Sequence, residues 1–125
     1  MNRVVLGKYE GNEAGYIGEA RRYGGIFYDP GPQALDAMTY GLDDERASQL
    51  CWEVRETFLR TQMERGPARF DYIVDRGQFS SIEEVLALDP HSLAAKEINF
   101  LKRNAELYGY QQLGTSWLQV RVVRK

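Results

Sequence analysis

The chain has 125 residues, of which 43% are hydrophobic and 12% aromatic. These values are typical of one compact globular domain and exclude a disordered or fibrous chain. Sixteen Lys and Arg against eighteen Asp and Glu give a formal net charge of −2, which weighs against broad, non-specific binding to duplexes, where phosphate neutralisation dominates affinity. We therefore expect a single domain over residues 1–125.

Membrane association and disulfide bonding are not indicated. No apolar run approaches the roughly 20 residues that cross a bilayer, and the N-terminus lacks the pattern of a signal peptide, so we expect a soluble domain that contacts no membrane. Cys51 is the one cysteine. It cannot close an internal disulfide, and we expect it to be a small buried hydrophobe rather than a nucleophile.

The first forty residues alternate between strand and helix patterns. Arg3–Leu6 is a β-branched run that ends at Gly7 and predicts a strand. A glycine-punctuated helix follows over Asn12–Arg22, then a second strand over Gly25–Tyr28 and a brief helix over Gln33–Tyr40.

A long helix is the clearest element. Asp43 or Asp44 can cap it, and Gly66, followed by proline, ends it after Arg65. Apolar residues recur at three- and four-residue steps, which predicts one buried face. Its members are Ala47, Leu50, Cys51, Val54 and Phe58.

The C-terminal half continues the alternation. Arg69–Asp75 predicts a third strand, and the capping-box pattern Ser81–Glu84 predicts a short helix ending near Leu88. Asp89 and Pro90 predict the start of a last helix, running to about Leu107, because proline suits the first helical position. Its apolar stripe is Ala94, Ile98, Leu101 and Ala105, and residues 110–123 predict a terminal hairpin that turns at Gly114-Thr115.

This order predicts an α/β fold, with a small, open, mostly parallel sheet flanked by helices and a C-terminal β-hairpin. In such sheets ligands bind beyond the carboxyl ends of the strands. The loops at those ends are Gly7–Glu10, Asp29–Gly31 and Asp75–Gln78.

Lys8 and Tyr9 are the candidate substrate-binding residues of the first loop. Glycine backbone N–H groups, an ammonium and an aromatic face can together meet a phosphate or nucleotide. The loop has neither the three-glycine dinucleotide pattern nor the Gly-Lys-Ser/Thr ending of a P-loop. A plain glycine turn is the alternative.

Glu97, Ser92 and His91 are the candidate catalytic residues. Glu97 lies at the margin of the last helix's apolar stripe, and a carboxylate held partly out of water can act as general base or stabilise developing positive charge. Ser92 and His91, near the start of the same helix, are its candidate partners. The alternatives are a surface glutamate paired with Arg or Lys, and a solvated histidine.

Two other groups of residues suggest different sites. Arg22, within the basic-aromatic run Arg21–Tyr23, can hold a phosphate or base, or else is a cation favoured at a helix end. Asp29, Asp71 and Asp75 lie near strand ends and would make a magnesium-dependent nuclease if they converged. No metal motif is present, and we expect no metal and no cofactor.

Four segments resemble the C-terminal toxin domains of bacterial polymorphic toxins of the Rhs-repeat and filamentous-haemagglutinin-like kind. They are Val4–Tyr9, Trp52–Leu59, Glu97–Leu101 and Tyr108–Tyr110. The long helix departs from the family pattern at Arg55, where an asparagine is expected. The resemblance implies an effector of interbacterial competition, delivered into the cytoplasm of a target cell and neutralised by a cognate immunity protein. It also implies attack on nucleic acid or a nucleotide such as NAD, with Lys8, Tyr9, Ser92 and Glu97 as the matching residues.

Three functional hypotheses follow. The first is a toxin-type hydrolase acting on a nucleotide-containing substrate, with NAD slightly preferred over nucleic acid because the chain is mildly acidic. The second is a non-catalytic, cytoplasmic interaction module, such as an immunity or adaptor protein. The third is the metal-dependent nuclease. Convergence of Lys8, Tyr9, Ser92 and Glu97 in one cleft distinguishes the first from the second.

Overall fold

The computed structural model describes residues 3–7, 15–28, 31–74 and 79–122. Four strands and five helices lie within these ranges. In chain order they are β1 (Arg3–Gly7), α1 (Gly15–Tyr23), α2 (Gly31–Thr39), α3 (Asp44–Arg65), β2 (Arg69–Ile73), α4 (Ile82–Leu88), α5 (Leu93–Asn104), β3 (Tyr110–Leu113) and β4 (Ser116–Gln119). The predicted α/β class is confirmed.

The strands form one mixed sheet in the order β1-β2-β4-β3. β1 and β2 are parallel, whereas β2 with β4 and β4 with β3 are antiparallel. The prediction of a mostly parallel sheet is therefore wrong. The C-terminal hairpin supplies two of the four strands of this mixed sheet, and β4 pairs directly with β2.

The predicted second strand, Gly25–Tyr28, is the other reason why the sheet is not mostly parallel. Only Ile26 pairs with β1, in a single parallel bridge to Val4. Val5 donates its N–H to the Ile26 carbonyl at 2.9 Å, and Ile26 donates to the Arg3 carbonyl at 2.8 Å. The segment thus borders β1 without becoming a full strand.

Alternating side chains divide the core between the two faces of the sheet. On one face, Val4, Leu6, Phe70 and Tyr72 belong to the main core, which α3, α4 and α5 cover. On the other, Val5 packs with the buried side chains of α1, in a smaller cluster. The sheet therefore lies between the main core and this smaller cluster.

Helix α3 begins and ends as its sequence predicts. Asp43 is the N-cap and accepts a hydrogen bond from the Arg46 N–H at 2.8 Å, and Gly66 closes the helix with a φ of 72°. The buried face is rotated from the predicted one. Trp52, Leu59, Gln62 and Met63 are its buried residues, whereas the predicted Ala47, Leu50, Cys51, Val54 and Phe58 are only partly buried.

The last helix differs from prediction at both ends, since it begins at Leu93 instead of Pro90 and ends at Asn104 instead of near Leu107. Ser81 caps α4 as predicted and accepts from the Glu84 N–H, although the Glu84 carboxylate accepts from the Ser80 hydroxyl instead of reaching back to the cap. Helix α5 is capped by Ser92, not by Asp89. Pro90 therefore lies in the turn between the helices and not at a first helical position.

The terminal hairpin is confirmed, with its turn at Gly114-Thr115. β4 places Trp117 opposite Phe70 of β2, and both side chains are fully buried. Tyr110 of β3 reaches the same core, and its ring meets that of Phe70 edge-on at 5.3 Å. Among the described helices, none combines the length and the apolar composition needed to span a membrane.

Candidate functional site

A cavity of about 390 Å³ lies where β1 and β2 end beside the helices of the main core. Small-molecule sites usually measure roughly 300–1,000 Å³, so its size suits a small organic ligand. Its described lining residues come from β1, β2, four helices and the turns beside them. They are Gly7, Leu35, Arg55, Tyr72, Phe79, Val85, Asp89, Ser92, Leu93, Ala94 and Glu97.

Glu97 is the buried carboxylate of this cavity. It lies on α5 in the main apolar stripe, next to Ile98 and one turn before Leu101, and its side chain is 1% exposed. Its Oε2 atom accepts a hydrogen bond from Nη1 of Arg55 at 3.1 Å. The predicted withdrawal of this carboxylate from water is therefore observed. The alternative, a surface glutamate paired with Arg or Lys, is right about the arginine and wrong about the surface position.

The environment of Glu97 favours its protonated form. Burial raises the pKa of Glu97 to about 7, and the neighbouring Arg55 charge and hydrogen bond offset only part of that effect. Burial raises the pKa of Tyr72 as well, and the negative charge of Glu97 adds to the increase. A carboxyl group that titrates near neutrality can both accept and release a proton under physiological conditions.

Arg55 is a further candidate residue of the site, with no role predicted from the sequence. Burial is the largest single influence and opposes its charge, but the contacts with Glu97, together with Tyr16 and Tyr28, outweigh it and the pKa of Arg55 is raised. Its position gives a signal that was available. Arg55 falls between Trp52 and Leu59, at three- and four-residue steps along the face that α3 buries, and an arginine there needs a buried partner.

Tyr28 covers the other side of Arg55. The guanidinium carbon lies 5.0 Å from the centre of the Tyr28 ring, a cation–π contact. The tyrosine is itself fixed, because its carbonyl accepts from the Tyr16 hydroxyl at 2.7 Å and its ring packs on Phe58 with 5.4 Å between centroids. Arg55 is thus held between an aromatic ring and a carboxylate.

Ser92 and His91, the two other catalytic candidates, lie in different settings. Ser92 lines the cavity, but its hydroxyl accepts from the Ala95 N–H at 3.0 Å and donates to the Asp89 carbonyl at 2.8 Å. That hydroxyl is committed to capping α5. His91 is exposed in the preceding turn and is not part of the described cavity wall.

The substrate-binding candidates fall in two parts of the chain, with Lys8 and Tyr9 adjacent and Arg22 apart from them. Lys8 and Tyr9 lie outside the described residues, although Gly7, which immediately precedes them, lines the cavity. A Cβ atom on Gly7 would approach the Ile73 carbonyl oxygen to 2.9 Å, so this close approach of β1 and β2 requires glycine. Arg22 is exposed on α1, the helix that covers the face opposite Glu97, and the structure does not bring it to Ser92 or Glu97.

The aspartates of the nuclease hypothesis do not form a described cluster. Asp71 faces α1, and its carboxylate accepts hydrogen bonds from Arg3, Arg69 and Ser116. Although burial acts in the opposite direction, these contacts lower the pKa of Asp71. Asp29 and Asp75 lie outside the described residues, and the part of the chain that is described holds no group of three His, Cys, Asp or Glu suited to a metal ion.

Comparison with known proteins assigns no function to this chain. The chain matches no family model, no curated protein and no solved structure. The features on which a function can rest are therefore the cavity, its buried Glu97–Arg55 pair and the nearby strand end at Gly7.

Proposed function

We propose that this chain is a toxin effector domain, an enzyme that binds a nucleotide-containing substrate in the cavity and uses Glu97 as its catalytic carboxylate. The observation that carries the proposal is the position of Glu97. A carboxyl group that is 1% exposed, with a pKa raised to about 7, lies in the wall of a small-molecule-sized cavity. Perturbed carboxyl groups in clefts are characteristic of catalytic sites.

A dinucleotide such as NAD suits this cavity better than a polynucleotide. The walls are largely apolar, with Leu35, Phe79, Val85 and Leu93 among them, and they suit a ring more than a chain of phosphates. Binding of a polynucleotide is favoured by a basic protein surface, whereas this chain carries a formal net charge of −2. NAD is therefore the preferred substrate class of the proposal.

Hydrolysis of an N-glycosidic bond gives Glu97 a defined role. The bond between the ribose C1′ atom and the ring nitrogen breaks, and its electron pair leaves with the base. Positive charge then builds on the ribose, where an ionised carboxylate stabilises it. Water adds to C1′, and the proton that it releases passes to Glu97.

The alternative hypotheses receive less support from the described residues. An interaction module has no need for a shared cavity, yet Ser92, Glu97 and the strand end at Gly7 all line one. A metal-dependent nuclease needs free carboxylate oxygens, whereas the Asp71 carboxylate accepts hydrogen bonds from three side chains.

Inducible expression in bacteria tests the proposal. Wild type is compared with Glu97→Gln, which preserves shape but cannot ionise, and with Glu106→Gln, a matched change at an exposed glutamate. Cellular NAD and the integrity of RNA and DNA are followed after induction. We expect wild type and Glu106→Gln to arrest growth and deplete NAD, and Glu97→Gln to do neither.

The purified proteins give the decisive comparison. Release of the free base from NAD is measured for wild type and Glu97→Gln at equal concentrations of folded protein. Removing a catalytic carboxylate should lower the rate by at least about 100-fold. Equal activity of a folded Glu97→Gln variant would refute the role given to Glu97, and unimpaired growth with wild type would refute the toxin.

A further inference from the structure

The Nε atom of Arg55 is a buried donor without a partner among the described residues. Its neighbour Nη1 donates to Glu97, and the guanidinium carbon lies over the ring of Tyr28. Buried N–H groups are nearly always hydrogen-bonded, and a charged one that is left unpaired is costly. An acceptor that enters the cavity would remove this cost.

Arg55 is also the more accessible member of the ion pair. Its side chain is 16% exposed, against 1% for Glu97, and both residues line the cavity. Arg55 therefore presents more side-chain surface to solvent than Glu97 does. The exposed surface lies on other atoms of the Arg55 side chain, since Nε itself is buried.

The charges around Arg55 favour an uncharged acceptor. The ionised form of Glu97 balances the guanidinium, and Asp89, an exposed acidic residue, also lines the cavity. Phe79 and Leu93 contribute apolar surface, in which a phosphate would lose hydration without gaining a net positive partner. A hydroxyl or carboxamide oxygen would lose far less.

We propose that Arg55 is the ligand-orienting residue of the cavity and that its Nε–H donates to a neutral oxygen on the nucleoside end of the substrate, so that the phosphates stay outside. This inference rests on the proposed nucleotide substrate and adds which end of it enters. Nicotinamide offers such an oxygen in its carboxamide, and a ribose offers it in its hydroxyls. Both place an uncharged acceptor in front of Arg55.

Binding measurements with three probes test the inference. Nicotinamide presents the carboxamide alone, adenosine presents ribose hydroxyls, and inorganic pyrophosphate presents only phosphate. Each is titrated by calorimetry into wild type, Arg55→Lys and Arg60→Lys. Lysine keeps the charge beside Glu97 but lacks Nε, and Arg60 is a matched control on the same helix, 47% exposed and paired with Glu56.

We expect at least one neutral probe to bind wild type more tightly than pyrophosphate does. Arg55→Lys should weaken that probe about tenfold or more, the loss typical of one hydrogen bond to a charged group, and Arg60→Lys less than about twofold. The probe affected tells whether the acceptor belongs to nicotinamide or to a nucleoside. Far-UV circular dichroism establishes that each variant is folded.

Three outcomes would overturn the inference: pyrophosphate binding most tightly, no neutral probe binding to wild type, or equal effects of the two arginine substitutions. The proposed catalytic role is judged separately, by NAD cleavage in Glu97→Gln. If that variant still cleaves NAD while Arg55→Lys loses a neutral probe, the role of Glu97 fails and the ligand contact of Arg55 stands.

Discussion

Replacement of Glu97 by glutamine should stabilise the protein at alkaline pH. The pKa of Glu97 rises from its ordinary value of 4.5 to about 7 on folding, chiefly through burial. The folded state therefore holds this proton more tightly than the unfolded state does. Below pH 4.5 both states are protonated and the group has no effect. Between about pH 4.5 and 7 the unfolded chain ionises first, so stability falls as the pH rises, and above pH 7 the full cost is present.

The size of the effect follows from these two pKa values. Each pKa unit corresponds to about 1.4 kcal/mol, so the ionised carboxylate destabilises the fold by ~3 kcal/mol at pH 8 and by ~1 kcal/mol at pH 5. Glutamine resembles the protonated form and escapes this cost. Glu97→Gln should thus exceed wild type in free energy of unfolding by ~3 kcal/mol at pH 8, with the difference shrinking towards acid.

Urea unfolding followed by tryptophan fluorescence measures this difference. Trp52 and Trp117 both lie in the main core and report its exposure. Wild type and variant are compared at each pH, so other titrating groups cancel, and Glu106→Gln serves as the exposed control. Two results would show that the contact with Arg55 fully offsets the burial of Glu97. The first is a variant less stable than wild type at pH 8, and the second is a difference in the free energy of unfolding that does not depend on pH. The predicted destabilisation by the buried, ionised Glu97 would then be refuted.

Three further predictions concern single contacts. Ser92→Ala should lower the free energy of unfolding by about 1 kcal/mol through loss of the α5 cap, and Ser92→Asp should restore it. Both variants should retain NAD cleavage. Loss of cleavage in a folded Ser92→Ala variant would show that Ser92 is catalytic. Gly109→Ala should destabilise the fold by ~3 kcal/mol or more, because the φ of Gly109 is 84° and the new Cβ would approach the Arg121 carbonyl oxygen to 2.3 Å. Gly114→Ala should cost only ~1 kcal/mol, because Gly114 has a φ of 63° but open space around it. Equal losses of thermal stability in the two variants would contradict this prediction. Asp71→Asn should lower the free energy of unfolding by ~3 kcal/mol at pH 7. The pKa of Asp71 is lowered on folding from its ordinary value of 3.8, so the difference from wild type should diminish as the pH falls below that value. A difference in urea unfolding that stays constant with pH would count against the ion pairs as its cause.

The candidate site could be predicted only in part. Glu97 was recognisable because a carboxylate stood beside an apolar helical stripe, and its buried position on α5 agrees with that signal. Ser92 was recognised as a polar residue near the same helix start, but its capping geometry became visible only with the backbone. Arg55 and Tyr28 were not assigned a role, because their contact with each other and with Glu97 joins residues far apart in the chain.

Local patterns by themselves determined most helices, the terminal hairpin and the α/β class. Caps, turn residues and apolar periodicity act over a few neighbouring residues, so Asp43, Gly66 and Gly114 fulfil the roles that their sequence context predicts. Only the tertiary structure decided which strands pair and which face of α3 is buried. Strand pairing and ion pairs depend on residues distant in sequence, whose energies no local pattern contains. The cavity beside Glu97 belongs to that second class, because six different elements close around it.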